Sequence, residues 1–406
     1  MKRLLFLLSG NISTTPRALK SIQAAIQQGY SVDLYLVSRT EKWKRLDEDI
    51  LSSLPCTVHY VPFKKEDGMC TWLFVGFLHK IALYLAKFIK NNMTINAFAS
   101  SKINILYYYR LQRVKERYDL VLGYSGMYYP AFLYAAKQSI PFAFDMEDYH
   151  PGEVIYHVNK GEEVQRRIKM FKSILPKASY VSYGSPLIEE KTTDLLKQNR
   201  TSIPKGFALN NTFRYSDFSF TACNDNRVHF VWFSQTISYG RGIDLILPVL
   251  NLHKDKVRLT LIGNMDNNFY KKVLSQYESF LDIKEALPQS NLHKEIGCYD
   301  IGLALEQTVD ENKSLCLSNK IFAYLLSGLY VIATSTKAQA KLMSSLSHHG
   351  VVVDSTAENL AQCVKDVIDH IHTIREDKEK RFNDIACISW ESEEKKLTDV
   401  WAKLID

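Results

Sequence analysis

Cysteine is sparse in this chain and follows no pattern. Cys56, Cys70, Cys223, Cys298, Cys316, Cys363 and Cys387 are scattered through 406 residues, with no C-x-x-C pair. An odd, dispersed set argues against a disulfide framework or a zinc site, and for a reducing compartment. Uninterrupted apolar runs are all too short to span a bilayer. G-x-G-x-x-G is missing, which counts against a dinucleotide dehydrogenase. Low-complexity segments and short-period repeats are missing too. The net charge of +7 is modest and its lysines and arginines are dispersed, without the basic stripe of a nucleic-acid protein. Such an excess suits anionic small molecules or an anionic membrane face.

What is present is globular: 46% hydrophobic and 23% charged residues, in a length that predicts two domains. Strand-like and helix-like stretches alternate, the pattern of parallel sheets with crossover helices. Met1 to Gly10 reads as a buried first strand rather than a leader, because its apolar run is short and no small-residue cleavage site follows. Arg17–Gln28 is a predicted helix, with Pro16 before it and Gly29 after it. Residues 200–226, rich in Ser, Thr and Asn, mark the changeover. The expected division is 1–205, 206–388 and a final helical segment, 389–406, folded back on the first domain. Two doubly wound domains would bind ligands beyond their strand ends.

Five constellations stand out. After the first strand, Gly10 permits close backbone approach, and Ser13, Thr14 and Arg17 supply donors at a helix start. The same residues also suit a plain capped helix with a surface arginine. Phe144 to Glu153 packs four carboxylates and His150 into one loop after a strand. Asp148, His150 and Glu153 are candidates for proton transfer or for hydrogen bonds to hydroxyls; a solvated loop is the alternative. Gly240-Arg241-Gly242 lies between a strand and a helix start, where open amides and a guanidinium fork suit a diphosphate. Glu306 follows another strand, and Ser318 or Asn319 caps a helix whose first turn holds Lys320. A lysine there opposes the helix dipole, a conflict that a bound phosphate would relieve. Finally, between Cys70 and Lys90, Phe74, Phe77, Leu78, Ile81 and Leu85 recur at helical spacing, with lysines toward other faces. Such a stripe is either core or an amphipathic helix lying on an anionic membrane through residues 71–90.

Taken in order, these motifs resemble the bacterial glycosyltransferases of the GT-B fold grouped as glycosyltransferase family four. Thr15-Pro16-Arg17 leading to Gly29-Tyr30-Ser31-Val32 is similar to the family's opening; Asp145 to Glu153 to its sugar-facing loop; Gly240-Arg241-Gly242 to its diphosphate-binding turn; and Asn319-Lys320-Ile321-Phe322 with Gly328-Leu329 to its phosphate-meeting helix. The resemblance covers essentially the whole chain. It implies an α/β fold of two Rossmann-like, doubly wound parallel-sheet domains facing each other across a cleft. It also implies a UDP- or GDP-sugar co-substrate, no obligatory metal, and a saccharide or lipid-linked acceptor. Gly10, Arg17, Gly240, Arg241, Gly242, Glu306, Ser318, Asn319 and Lys320 would then meet the donor, with Asp148, His150, Glu153 and Arg241 at the chemistry. The chain departs from the pattern where the family often has two glutamates, the second binding ribose: Leu315 and Ala323 stand there, with Glu306 a candidate substitute. Thr236 replaces an arginine often found there. A cytoplasmic transferase, peripheral at the inner face of the plasma membrane, is the reading; a sugar-nucleotide epimerase of similar fold and a catalytically silent binding subunit are the alternatives.

Overall fold

Leu4, Leu5, Phe6 and Leu7 are fully buried, as expected of a strand covered on both faces by crossover helices. The computed structural model describes residues 1–38, 40–66, 68–154, 160–223 and 225–405. It divides into two compact units, one of residues 1–210 with 394–406 and one of residues 211–393.

The first unit holds strands β1 (Arg3–Leu7), β2 (Ser31–Ser38), β3 (Cys56–Pro62), β4 (Leu120–Tyr124), β5 (Phe142–Met146), β6 (Tyr180–Tyr183) and β7 (Gly206–Ala208). Their order is β3-β2-β1-β4-β5-β6-β7, and every pairing is parallel. Leu4 pairs with Val32 on one side and Leu120 on the other. The strand order therefore reverses between β1 and β4, the switch point where loops diverge and leave a crevice. Strand β7, which a division at 205/206 assigns to the second half, pairs with β6 in the first sheet. The last helix, Trp390–Ile405, contributes Trp401, whose Nε1 donates to Tyr180 Oη at 2.8 Å.

The second unit repeats the design with β8 (Val228–Ile237), β9 (Val257–Met265), β10 (Leu281–Lys284), β11 (Ile301–Ala304), β12 (Tyr330–Thr334) and β13 (Gly350–Val353). The order is β10-β9-β8-β11-β12-β13, again all parallel. Here the reversal falls between β8 and β11. Both units are thus Rossmann-like doubly wound sheets.

Some elements differ from the sequence reading. Apolar periodicity in the sequence predicts helices over 103–117 and 267–276; the first stops at Gln112. The connector into β4 is pinned instead by Tyr118, whose hydroxyl donates to Asp33, and by Tyr134, whose hydroxyl donates to the Glu116 carbonyl. The helix expected over 267–276 ends at Lys272 and is followed by a 3-10 turn, Leu274–Tyr277. Among the described residues, no helix is long and apolar enough to cross a membrane.

Candidate functional site

In the first unit the loops after β1, β4 and β5 enclose a cavity of about 310 Å³. Ser9 follows β1; Ser125, Gly126, Met127 and Tyr128 follow β4; Glu147, Asp148, His150 and Glu153 follow β5. Larger hollows of about 480 Å³ beside β13 and about 510 Å³ around His229, Arg258 and Asp282 occur in the second unit. The latter three residues lie at or near strand starts, the end opposite the switch point, so position rather than volume selects the candidate.

The turn after β4 is conformationally costly: Ser125 has φ 49° and Gly126 φ 86°. A non-glycine residue in the left-handed region costs of order 1–3 kcal/mol and is often found at ligand sites. A Cβ on Gly126 would lie 3.9 Å from His150 Cε1, so this turn forms a wall beside the imidazole. His150 also packs among the rings of Tyr128, Phe144 and Phe171. Burial pushes its pKa below the ordinary histidine value, despite the opposing pull of Glu153 and Asp148. His150 is therefore neutral at pH 7, able to donate from one ring nitrogen and accept at the other. Burial likewise raises Glu147 to about 7, only partly countered by the Arg17 charge. A carboxyl poised there can exchange a proton at physiological pH.

Glu153 is held by Arg167, with Nη1 2.6 Å from Oε2. The same Nη1 donates to the His150 carbonyl, and Nε reaches buried Glu163 at 3.2 Å. Glu153 is thus one arm of a brace that fixes the loop. Glu147 and Arg167 line the cavity and were not among the sequence-derived site residues. Glu147 could have been found, being one of the loop's carboxylates; Arg167 sits in a separate helix, Lys160–Ile174, with no local signal of its role.

The structure reassigns the turn after β1. Arg17 is fully buried. Its Nε donates to Asp145 Oδ2 at 2.9 Å, and its terminal nitrogens bind Asp145 Oδ1 and the Leu209 carbonyl. Asp47 Oδ1 accepts from the Ser13 amide at 2.9 Å, and Oδ2 from Asn11 Nδ2 at 2.7 Å. The Arg17 guanidinium and the Ser13 amide are therefore taken up within the protein, and the turn is not the plain capped helix with a surface arginine either, because Thr15 at the N-cap makes no side-chain cap and Arg17 is buried. Gly10 has open space around the position of a Cβ.

In the second unit the arginine turn and the Glu306 segment meet at the switch point. Gly240 and Gly242 have φ 69° and 79°. A Cβ on Gly242 would approach the Leu305 carbonyl oxygen to 2.4 Å, which seats the turn directly on the chain leaving β11. Gly242 precedes helix Ile243–Asn251 without a side-chain cap, so its first amides are open. Exposed Asp244 in that first turn disfavours an anion there. Arg241 is exposed, and no hydrogen bond or ion pair holds its guanidinium among the described residues. Its own unit leaves it accessible but does not pre-organise it.

The start of helix Asn319–Leu326 is the more favourable of the two for an anion. Ser318 occupies its N-cap in extended conformation, yet its side chain does not cap, contrary to expectation, and the first turn has no acidic residue. Gly328 follows its end at φ 72°, the usual left-handed stop. Lys320 Nζ lies 2.6 Å from Glu306 Oε1 and 5.8 Å from the Trp232 ring centroid. The conflict expected of a lysine in the first turn is thus met internally by Glu306. Burial disfavours the Glu306 carboxylate, but the Lys320 charge together with hydrogen bonds from Lys320 and Ser318 outweighs it and lowers the pKa. Thr334 Oγ1 donates to the Glu306 carbonyl at 2.6 Å, and Gln339 Nε2 to the Ala304 and Thr334 carbonyls. This net fixes the strand end that carries Glu306. Leu315 and Ala323, where the family often has glutamates, are both buried.

No protein-family model matches the chain, and no curated protein matches it. Among solved structures it is similar to Anabaena HepE in complex with UDP, at 13% identity and TM-score 0.64, covering 100% of both chains. It is also similar to sucrose-phosphate synthase from Thermosynechococcus elongatus, at 11% identity and TM-score 0.65, over 100% of this chain and 99% of that one. A UDP-N-acetylglucosamine 2-epimerase is similar at 10% identity and TM-score 0.57, over 99% and 97%. The likeness runs end to end and defines the fold: the chain has the GT-B fold of two Rossmann-like domains.

Proposed function

We propose that this protein is a glycosyltransferase that moves a sugar from a nucleotide-sugar donor to a saccharide or lipid-linked saccharide acceptor. The observation that carries the reading is the uncapped start of helix Asn319–Leu326, with Lys320 in its first turn, at the switch point of the second sheet. Open amides plus a fixed cation are what a diphosphate requires. HepE, of the same fold, has been solved with UDP and with UDP-glucose, which supports a UDP-sugar; GDP remains the second donor to test.

Transfer at an anomeric carbon develops oxocarbenium character while a diphosphate departs. Lys320, Arg241 and the open amides would meet that negative charge. Glu306 would hold Lys320 in place and share it with the incoming phosphate. In the first unit, His150 and Asp148 would orient the sugar. Glu147, poised near neutrality, suits removal of the acceptor proton better than Glu153, which Arg167 engages. The free thiols of all seven cysteines support a cytoplasmic placement.

The test is donor turnover by Arg241→Ala and Lys320→Ala, alongside a thermal-shift screen with UDP-, GDP-, CMP- and dTDP-sugars. Loss of turnover is expected in both, with an unchanged melting temperature in Arg241→Ala; wild-type turnover in both variants would overturn the reading. An epimerase is the second reading, favoured by the similar fold of the UDP-N-acetylglucosamine 2-epimerase. It would convert donor without acceptor, and a transferase would not. Donor binding with no chemistry on any acceptor would instead indicate a silent binding subunit.

A further inference from the structure

Helix Met69–Leu85 buries only Val75 and Ala82 fully. Half of the 18 large apolar side chains that the described chain exposes lie in residues 69–89. Phe77, Tyr84 and Phe88 are 63%, 62% and 69% exposed. The stripe that helical spacing offered as core is therefore in large part open: Phe74, Phe77 and Ile81 are all exposed. A contiguous apolar surface of this density marks an interaction site.

Charge identifies the partner. Residues 69–115 contain seven lysines and arginines and no aspartate or glutamate. Lys80, Lys87 and Lys90 are exposed among the aromatic rings. The core of a protein–protein interface is depleted in lysine, whereas an interfacial helix combines aromatic and aliphatic residues with lysines that reach lipid phosphates. The helix is too short to span, and at 1.5 Å per residue its 17 residues extend about 25 Å, enough to lie in the headgroup plane.

We infer that this segment seats the first unit on an anionic lipid bilayer, with the apolar side chains in the interface and the lysines against the headgroups. The helix packs on helices Met93–Ser100 and Lys102–Gln112. The same layer supplies Ser100, Ser101, Ile103 and Asn104 to the cavity described above. A lipid-linked acceptor would then enter from the bilayer side; that corollary rests on the proposed transferase function, but the seating itself does not.

Co-sedimentation of the full chain with phosphatidylcholine vesicles, with and without phosphatidylglycerol, tests it. Binding to the anionic vesicles is expected, weakening as salt rises. It should fall by roughly tenfold or more in Phe77→Ser/Tyr84→Ser/Phe88→Ser and in Lys80→Gln/Lys87→Gln/Lys90→Gln. Melting temperature and donor thermal shift should stay unchanged in both. Wild-type protein remaining in the supernatant, variants that bind as well as wild type, or a lipid-independent dimer abolished by the aromatic substitutions without vesicle binding would each overturn the inference. A missing donor shift with vesicle binding intact would count against the transferase alone.

Discussion

Asp145 and Glu147, two residues apart, illustrate how one short segment carries both structure and chemistry. Arg17 and Asp145 neutralise each other in the interior. Removing one partner leaves a buried charge uncompensated, which typically costs 3–5 kcal/mol. Arg17→Met should therefore lower the melting temperature sharply, as read by calorimetry, and, because the Arg17 charge holds the Glu147 pKa down, raise that pKa further. Glu147, two residues beyond Asp145, behaves differently. Its pKa rises from the ordinary 4.5 to about 7 on folding. The folded state thus favours the protonated form, and the associated stability is present below pH 4.5 and lost as pH rises toward 7. Glu147→Gln should match wild type in melting temperature near pH 4.5 and exceed it at pH 7 and above. If Glu147 takes the acceptor proton, that variant also loses the acidic limb of the pH–rate profile.

At the scale of elements, the contact between the arginine turn and the end of β11 leaves no room for change. Gly242→Ala would force a left-handed residue to carry a Cβ into the Leu305 carbonyl. The expected result is destabilisation of order 1–3 kcal/mol and weaker donor binding, because Glu306 and Lys320 move with that strand end; an unchanged donor thermal shift would show the turn and the lysine to be independent. Most strands were legible as apolar runs, since a parallel strand buried on both faces has little alternative. The short strands β7 and β10 were not: Gly206–Ala208 has no apolar pattern, and Leu281–Lys284 sits at a sheet edge with charged residues on it. The helical spacing between Phe74 and Leu85 was legible, but whether anything covers its faces is not a local property.

At the scale of the whole molecule, the chain ends inside the unit that it began. Trp401 is fully buried and hydrogen-bonded to Tyr180, so the unit of residues 1–210 is incomplete without residues 394–406. Trp401→Ala should cost about 3–5 kcal/mol. In a calorimetric trace that resolves two transitions, the loss should fall on the one that a nucleotide-sugar does not raise. A ligand bound by one native unit stabilises that unit first, by about 2.7 kcal/mol at a hundredfold excess over Kd.

The sequence alone determined the alternation of strand and helix, the two-domain organisation, and the positions of the polar loops beyond the strands, because backbone hydrogen bonding and apolar periodicity are written locally. Tertiary structure alone decided which polar residues are available. Arg17 and Lys320 both lie at helix starts and read alike along the chain, yet one is enclosed by Asp145 and the other pairs with Glu306 at the end of a strand. Burial and charge pairing depend on partners more than a hundred residues away in one case and fourteen in the other, and no local pattern encodes them.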